Sequence, residues 1–563
     1  TQDNATLQEE EFARRAPGRA PRFAQRLEVD IRPETSGRWE PLPNGNLLWR
    51  LQLRSANAYS LNLGFTEFYM PPGGKLLLYD PLQEEVLGPF SDNDNEAHQQ
   101  LWTPVLGGAQ LVLEVELPPS QRSYLRLWLT SVNHDFLNFY GVTTGACHLD
   151  VLCGENDGWG IVEQYEDIIQ SVAVYGTGGE TFCTGALINT TSNDCRPYFL
   201  SAFHCDVTPS QAPSVVVYWN YRNSYCRQPG TVASSNPGNG SLNNFNTGAV
   251  YRAGYQPTDF VLFELDDPIP SSSQAFFAGW SREASPPEDT VVCVHHPDGA
   301  EKRISFAFTD TYAGAWGNGN QEVPNGDHLI VPNWSVGSTE VGSSGAPLFN
   351  RQGQIVGQLH GGGASCSNDE YDAFGWIRSS WEGGGSPTTR LRDWLAPDGG
   401  DIFFLDGRWL SSCDAAIFIA PSESAICVPG TADFDIEIAE AFSGPVEITV
   451  EGLPPGVDYV VNPATPYGGG TATLTLNAYG TSLNSGALNF SVTASDAINS
   501  VTEQTSIDLV TAAPSMPDAL WPSPDAEGVS LAPTISWTAT PGATGYDIQV
   551  GADTSLGNLL ASL

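Results

Sequence analysis

The strongest constraint on the fold is a rhythm of short apolar runs cut by turn residues, sustained along most of the chain without a long helical period. LLWRLQLRS, YSLNLGFTEFYM, KLLLYD, LVLEVELP and YLRLWLTSV alternate like strands, with PNG, PPGG and LPPS between them. SVAVYG, GALIN, SVVVYWNY, FVLFEL, VVCVHH, HLIVPNW and QIVGQLHGG continue the rhythm, and DFDIEIAEAF, TATLTLNAYG and LNFSVTASD repeat it near the end. Alternate side chains of a strand face opposite sides, so such runs each lend one face to a core. The 58 glycines and 41 prolines supply the turns. The expectation is an all-β chain.

A chain of 563 residues exceeds what one core usually supports, so several domains are expected. Residues 1 to about 25 are polar and carry Arg14, Arg15, Arg19 and Arg22; they read as a flexible arm. Residues 26–140 form a cysteine-free β module, most simply a sandwich or jelly roll. Residues 141–409 hold many short apolar strands, which two packed β-barrels would accommodate, and TTRLRDWLAP near their end predicts a short closing helix. Residues 410–513 alternate at the spacing of an Ig-like sandwich. Residues 514–563 read as a linker and the first strands of a fibronectin type III-like module, too short to be complete, so the chain is expected to be truncated there.

The formal net charge of −41 argues against nucleic acid or an anionic membrane as partner, since a polyanion would be repelled. No apolar run is long enough to span a bilayer. Ten cysteines lie between Cys147 and Cys427 with no CxxC pair, which points to disulfides in an oxidising compartment rather than zinc. The opening TQDNATLQEE is no signal peptide, so a secreted protein would here be numbered after signal removal. Of 24 basic residues only Lys75 and Lys302 are lysines; coding bias towards arginine is a sufficient reason.

Three motifs carry chemistry. FLSAFHC puts His204 after an apolar strand, TDFVLFEL puts Asp259 at a strand head, and GSSGAPLF puts Ser344 in a glycine-flanked turn. Singly each has an ordinary structural explanation. Together, in the order His, Asp, Ser, they match the chain order of chymotrypsin-like proteases rather than subtilisins or α/β-hydrolases. Ser344 is then the nucleophile, His204 its general base and later acid, and Asp259 the group that holds the imidazole. The amides of Gly342 and Ser344 would form the oxyanion hole, and Pro347 would fix the chain leaving the turn. No cofactor and no metal are implied.

At these residues the span from Gly141 to about Asp406 resembles the bacterial lysyl endopeptidases of the Achromobacter and Lysobacter type. The matching segments are GVTTGACHLDVLC, FCTGALINTTSNDCRPYFLSAFHC, VVVYWNYRNSYC, TDFVLFEL, HHPDGAEKRIS, GSSGAPLF, GQLHGGGASC and RLRDWLAP. The resemblance implies the disulfides Cys147–Cys366, Cys153–Cys226 and Cys183–Cys205. Cys195 and Cys293 are left over in this region and are expected to pair, as are Cys413 and Cys427 further on.

Specificity follows less directly. Trypsin-like enzymes hold an Asp six residues before the nucleophile, where this chain has Ser338. The resemblance implies an Asp after the nucleophile instead, best matched by Asp372, with Asp369 or Glu370 as alternatives. It also implies an aromatic stack of Trp316 and His360 near His204, and Gly361 and Gly362 would let a substrate backbone pair with the 359–361 edge. Trypsin-like zymogens use an acidic residue just before the nucleophile to bind a freed N-terminus; Ser343 cannot do this. Residues 1–140 then read as a propeptide cut before Gly141, although Tyr140 at that point is no lysine.

These residues predict a secreted bacterial serine endopeptidase acting on protein or peptide substrates after basic residues, with lysine preferred, and with its own propeptide as partner. Two other readings remain: an arginine-directed or broader trypsin-like protease, or an adhesin whose protease-like domain is inert.

Overall fold

A computed structural model gives the fold. It describes residues 3–82, 85–192, 195–397, 399–412, 417–420, 425–439, 442, 445–468, 470–480, 483–496, 500–511, 519–521, 536–537, 549–551 and 559–562. The chain divides into two compact units, Thr1–Leu410 and Ser411–Leu563.

The N-terminal segment is not the free arm that its polarity predicts. Asn4–Arg14 is an α-helix capped by Asp3, whose carboxylate accepts from Ala5 N. The carboxylate of Glu11 is fully buried and takes two bonds from Arg14 and two from Arg22, one of them from its backbone N–H. Arg14 lies in the helix itself, but Arg22 and the carbonyls of Asn57 and Phe136, which accept from Asn4 and Gln8, come from later in the chain, where no local pattern shows them.

Residues 24–135 form two five-stranded sheets. The strand Gln110–Leu117 shows the expected alternation, with Leu111, Leu113, Val115 and Leu117 buried against Leu61, Leu63, Phe65 and Leu127. This sandwich packs on the part of the chain that follows. Phe23, Trp102, Val105 and Phe139 share a core with Val174, Phe182, Val216, Tyr218 and Tyr221. Backbone bonds run along the seam, from Phe23 N to Glu180 O at 2.8 Å and from Phe182 N to Pro21 O at 3.1 Å.

Residues 149–405 contain two further sheets, which have the form of a chymotrypsin-like double β-barrel. One has seven antiparallel strands, with Val172–Thr177, Thr181–Leu187, Tyr198–Ala202 and Phe260–Leu265 at its centre. The other has ten, including Val291–His295, Arg303–Ala307, Pro347–Phe349, Gln354–Gly362 and Asp372–Trp376. Both faces of Val291–His295 are buried. Val292 and Val294 face the core shared by the two sheets, and Val291 and Cys293 face the interior of the second barrel. That is why VVCVHH is continuously apolar rather than alternating. A short helix, Arg392–Leu395, lies where RLRDWLAP predicts one.

The cysteines divide differently from expectation. Cys147–Cys366, Cys153–Cys226 and Cys183–Cys205 are bonded. The pair Cys195–Cys293 is not formed: Cys195 is in a disulfide, whereas Cys293 is a buried free thiol turned into the second barrel. The pair Cys413–Cys427 is not formed either, because Cys427 is free and exposed; Cys413 lies outside the described residues.

In the second unit two four-stranded sheets enclose Phe434, Leu474, Leu476, Phe490 and Val492. Beyond residue 511 the described strands are two short ladders, Ala519–Trp521 with Ser536–Trp537 and Gln549–Gly551 with Leu559–Ser562. The rest of the expected fibronectin-like segment lies outside the described residues.

Candidate active site

The site forms where the two sheets of the double barrel meet. The strand Tyr198–Ala202 ends in a single turn, Phe203–Cys205, that presents His204 and is stapled to Thr181–Leu187 through Cys183–Cys205. Asp259 sits at the head of the neighbouring strand with a left-handed backbone (φ 55°). That conformation lets its carboxylate take both the backbone N–H of His204 at 3.0 Å and Nδ1 at 2.7 Å. An ionised carboxylate can only accept, so Nδ1 carries a proton, and in the neutral imidazole this leaves the lone pair on Nε2. Nε2 is buried and makes no hydrogen bond among the described residues. Burial pushes the Asp259 carboxyl up, against the bonds from His204 that favour its ionised form.

Ser344 lies in a turn between Glu340 and Ala346, closed by Ser343 N to Glu340 O at 3.0 Å and Ala346 N to Ser343 O at 2.9 Å. Gly345 has φ 82°, and a β-carbon there would collide with Ser201 Oγ and the Thr184 carbonyl, so the position admits only glycine. The carbonyl of Val341 accepts from Asp298 N, and that of Ser343 from Ala346 N. Since a peptide's N–H points opposite to its C=O, the amides of Gly342 and Ser344 are turned the other way. Neither has an acceptor among the described residues. Two backbone donors thus stand unpaired beside the Ser344 side chain.

His360 stacks on Trp316 with ring centroids 3.6 Å apart and lies nearly parallel to His204 at 5.8 Å. Its Nδ1 is 3.0 Å from His328 Nε2. Burial, with the neighbouring His328 and His204, holds His360 down at about 2, so it stays neutral. It falls at the break in register between Leu359 and Gly361.

A cavity of about 190 Å³ opens beside Ser344, lined by Thr339, Glu340, Val341, Leu359, Gly361, Gly362, Ala364 and Asp372. Asp372 is buried in its wall. Its Oδ2 accepts from Thr339 Oγ1 at 2.6 Å and Trp334 Nε1 at 2.7 Å, yet burial pushes its carboxyl up to about 6. Asp369 and Glu370 are exposed and do not line the cavity. The carbonyl of Ser338 is tied to Ser305 behind the wall.

Two groups at this cavity were not singled out from the sequence. Glu340 stands four residues before Ser344, and burial pushes it up to about 7. Residues 15–19 close the cavity from the side of the N-terminal segment. A β-carbon on Gly361 would lie 3.3 Å from Gly18 N and 3.4 Å from Pro17 Cβ. A carboxylate in a spaced motif such as STEVGSS could have been noticed, whereas no signal links residues 15–19 to residue 361.

The double barrel and the cleft it frames define a peptidase of the chymotrypsin-like class. A model described as the C-terminal domain of lysyl endopeptidase matches residues 142–375, and one described as the lysyl endopeptidase N-terminal domain matches residues 6–135. The chain belongs to the lysyl endopeptidase family. It is similar to the lysyl endopeptidase of Pseudomonas aeruginosa, 26% identical over 378 residues that cover 62% of this chain and 77% of that protein. The structure of the Vibrio cholerae VesB protease aligns over 61% of this chain and 96% of that one, with 13% identity and a TM-score of 0.24, too distant to bear on the site.

Proposed function

We propose that the protein is a secreted serine endopeptidase, made as a proprotein, that cleaves after basic residues and prefers lysine. Ser344 attacks the scissile carbonyl while His204 Nε2 takes its proton. Asp259 holds the tautomer and stabilises the imidazolium that forms. The N–H groups of Gly342 and Ser344 receive the developing oxyanion. His204 then protonates the leaving amine, and water hydrolyses the acyl-enzyme by the same steps in reverse order.

The observation that carries the specificity reading is the cavity that Ser344 shares with the buried Asp372. Two of the acceptor positions on Asp372 are already taken by Thr339 and Trp334. A carboxylate so occupied suits the compact ammonium of lysine better than a guanidinium fork, which needs two open acceptors. Trp316, His360 and the glycines at 361 and 362 would flank the substrate backbone.

The proprotein reading rests on residues 15–19, which line the same cavity and stand where a substrate would enter. The three disulfides between Cys147 and Cys366 support an oxidising, extracellular destination. Among the described residues no helix is long and apolar enough to cross a membrane.

The test is turnover of paired peptides that differ only in Lys, Arg or a neutral residue at the scissile position, with Ser344→Ala as control. We expect lysine to be preferred and the control to lose about 10⁶-fold in kcat. Equal rates on basic and neutral peptides would sink the specificity, and a working Ser344→Ala would sink the mechanism.

A further inference from the structure

Behind the turn that carries Ser344 runs a chain of hydrogen bonds among side chains that the proposed mechanism does not use. Ser305 Oγ donates to the Ser338 carbonyl at 3.0 Å. His295 Nε2 lies 3.0 Å from the same Oγ, and His295 Nδ1 lies 2.7 Å from Ser343 Oγ. Ser343 Oγ accepts in turn from Glu340 N at 3.2 Å. His295, Ser305 and Ser343 are fully buried.

The protons in this chain are determined by counting. A hydroxyl has one hydrogen, and that of Ser305 is spent on Ser338, so Ser305 Oγ can only accept from His295. His295 Nε2 is therefore the protonated nitrogen. Burial, reinforced by Arg303, holds the ring down at about 3, so it is neutral and Nδ1 is an acceptor. Ser343 must then donate to Nδ1, which leaves its oxygen lone pairs for the Glu340 amide. In this arrangement every member is satisfied, the condition under which a buried network is rigid.

The geometry ties both ends of the stretch 338–343 to two adjacent strands, Val291–His295 and Arg303–Ala307. This stretch holds the cavity wall at Thr339 and Glu340, and its last residue supplies the peptide whose N–H belongs to Ser344. An acid at position 343 waiting for a freed N-terminus would need cleavage before the turn could form. The neutral chain needs none, and it is complete with residues 1–140 still attached.

Taking Ser344 as the nucleophile, we propose that His295 and Ser343 are positioning residues that hold the Gly342 and Ser344 amides at the oxyanion, and that they do so before residues 1–140 are removed. They act through the turn and touch no substrate.

The test is Ser343→Ala in enzyme expressed from the full chain, with Ser344→Ala beside it. We expect kcat to fall about ten- to hundredfold, less than the loss of a whole oxyanion donor, with KM within about twofold. Affinity for a peptidyl trifluoromethyl ketone, which forms the tetrahedral adduct, should fall in step with kcat. Affinity for a simple alkylamine in the cavity should stay unchanged. A Ser343→Ala enzyme with unaltered kcat and ketone affinity overturns the proposal, as does one in which KM alone rises. A Ser344→Ala protein that still turns over refutes the nucleophile assignment instead. Should Ser343→Ala fail to fold, ¹⁵N spectra of the histidines in the wild-type protein decide. A His295 ring protonated on Nε2 and unchanged from pH 5 to 8 supports the chain, and a ring that titrates there or carries its proton on Nδ1 overturns it.

Discussion

The guanidinium of Arg15 reaches across the cleft to Asp298, with Nη1 3.3 Å from Oδ1, while Thr144 Oγ1 holds the other oxygen of that carboxylate at 3.3 Å. Asp298 N in turn binds the Val341 carbonyl beside the Ser344 turn. One ion pair thus joins the N-terminal segment to the wall of the cavity.

If residues 15–19 block the cleft, loosening them should expose it. Arg15→Ala removes the contact to Asp298, and Glu11→Gln weakens the anchor that gathers Arg14 and Arg22. A hydrogen bond to a charged group is worth about 1.5–3 kcal/mol, so loss of one such bond should raise the open fraction about tenfold or more. The measurement is the rate at which a small peptidyl phosphonate labels Ser344 in the chain that retains residues 1–140. Both variants should label faster than wild type, and equal rates would show that the segment does not gate the site.

Asp372 should divide stability from activity. Burial raises its carboxyl to about 6, above an unfolded value of about 3.9. Its contribution to stability is fully present below that unfolded value and is lost as pH rises through about 6. Binding of an ammonium needs the ionised form and so gains over the same window. The ratio of kcat/KM for a lysyl peptide to that for its norleucyl analogue cancels the titration of the general base. It should rise between about pH 5 and 7 in the wild type. Asp372→Asn should flatten the ratio and lower lysyl kcat/KM by about 100-fold, the order expected when one partner of a buried charge pair is removed. A wild-type ratio independent of pH would contradict the assignment.

Cys293 and Cys427, the free thiols among the described residues, should differ sharply in reactivity. Cys293 is completely buried, and burial followed by the nearby Asp372 pushes its thiol well above the usual range. Cys427 is exposed. Iodoacetamide on the native protein should label Cys427 and spare Cys293, with Cys293 reacting only after denaturation. Peptide mapping by mass spectrometry reads the outcome, and native labelling of Cys293 would contradict its place in the barrel interior.

His204, Asp259 and Ser344 could be put forward as candidates because each sits in a short motif of adjacent residues. The motif GSSGA is legible locally, but what forbids a side chain at Gly345 is tertiary, since the crowding comes from Ser201 and Thr184. Asp372 could be proposed but not separated from Asp369 and Glu370, because burial distinguishes them and burial is a property of the folded chain. Cys293 was paired wrongly for a related reason. Its strand is buried on both faces, so alternation could not tell which way the thiol points. Glu11 reads as one more charge in a polar, flexible arm, yet it is buried and bonded to Arg14 and Arg22.

Strand periodicity, turn residues and three short motifs made the all-β architecture and the candidates His204, Asp259 and Ser344 legible along the chain, because these signals depend on neighbours within a few residues. The unpaired amides beside Ser344, the His295–Ser343 chain, the burial of Asp372 and the reach of Arg15 to Asp298 join groups up to 283 positions apart. Such contacts exist only once the sheets have packed, since packing decides which distant strands become neighbours and which charges lose their water.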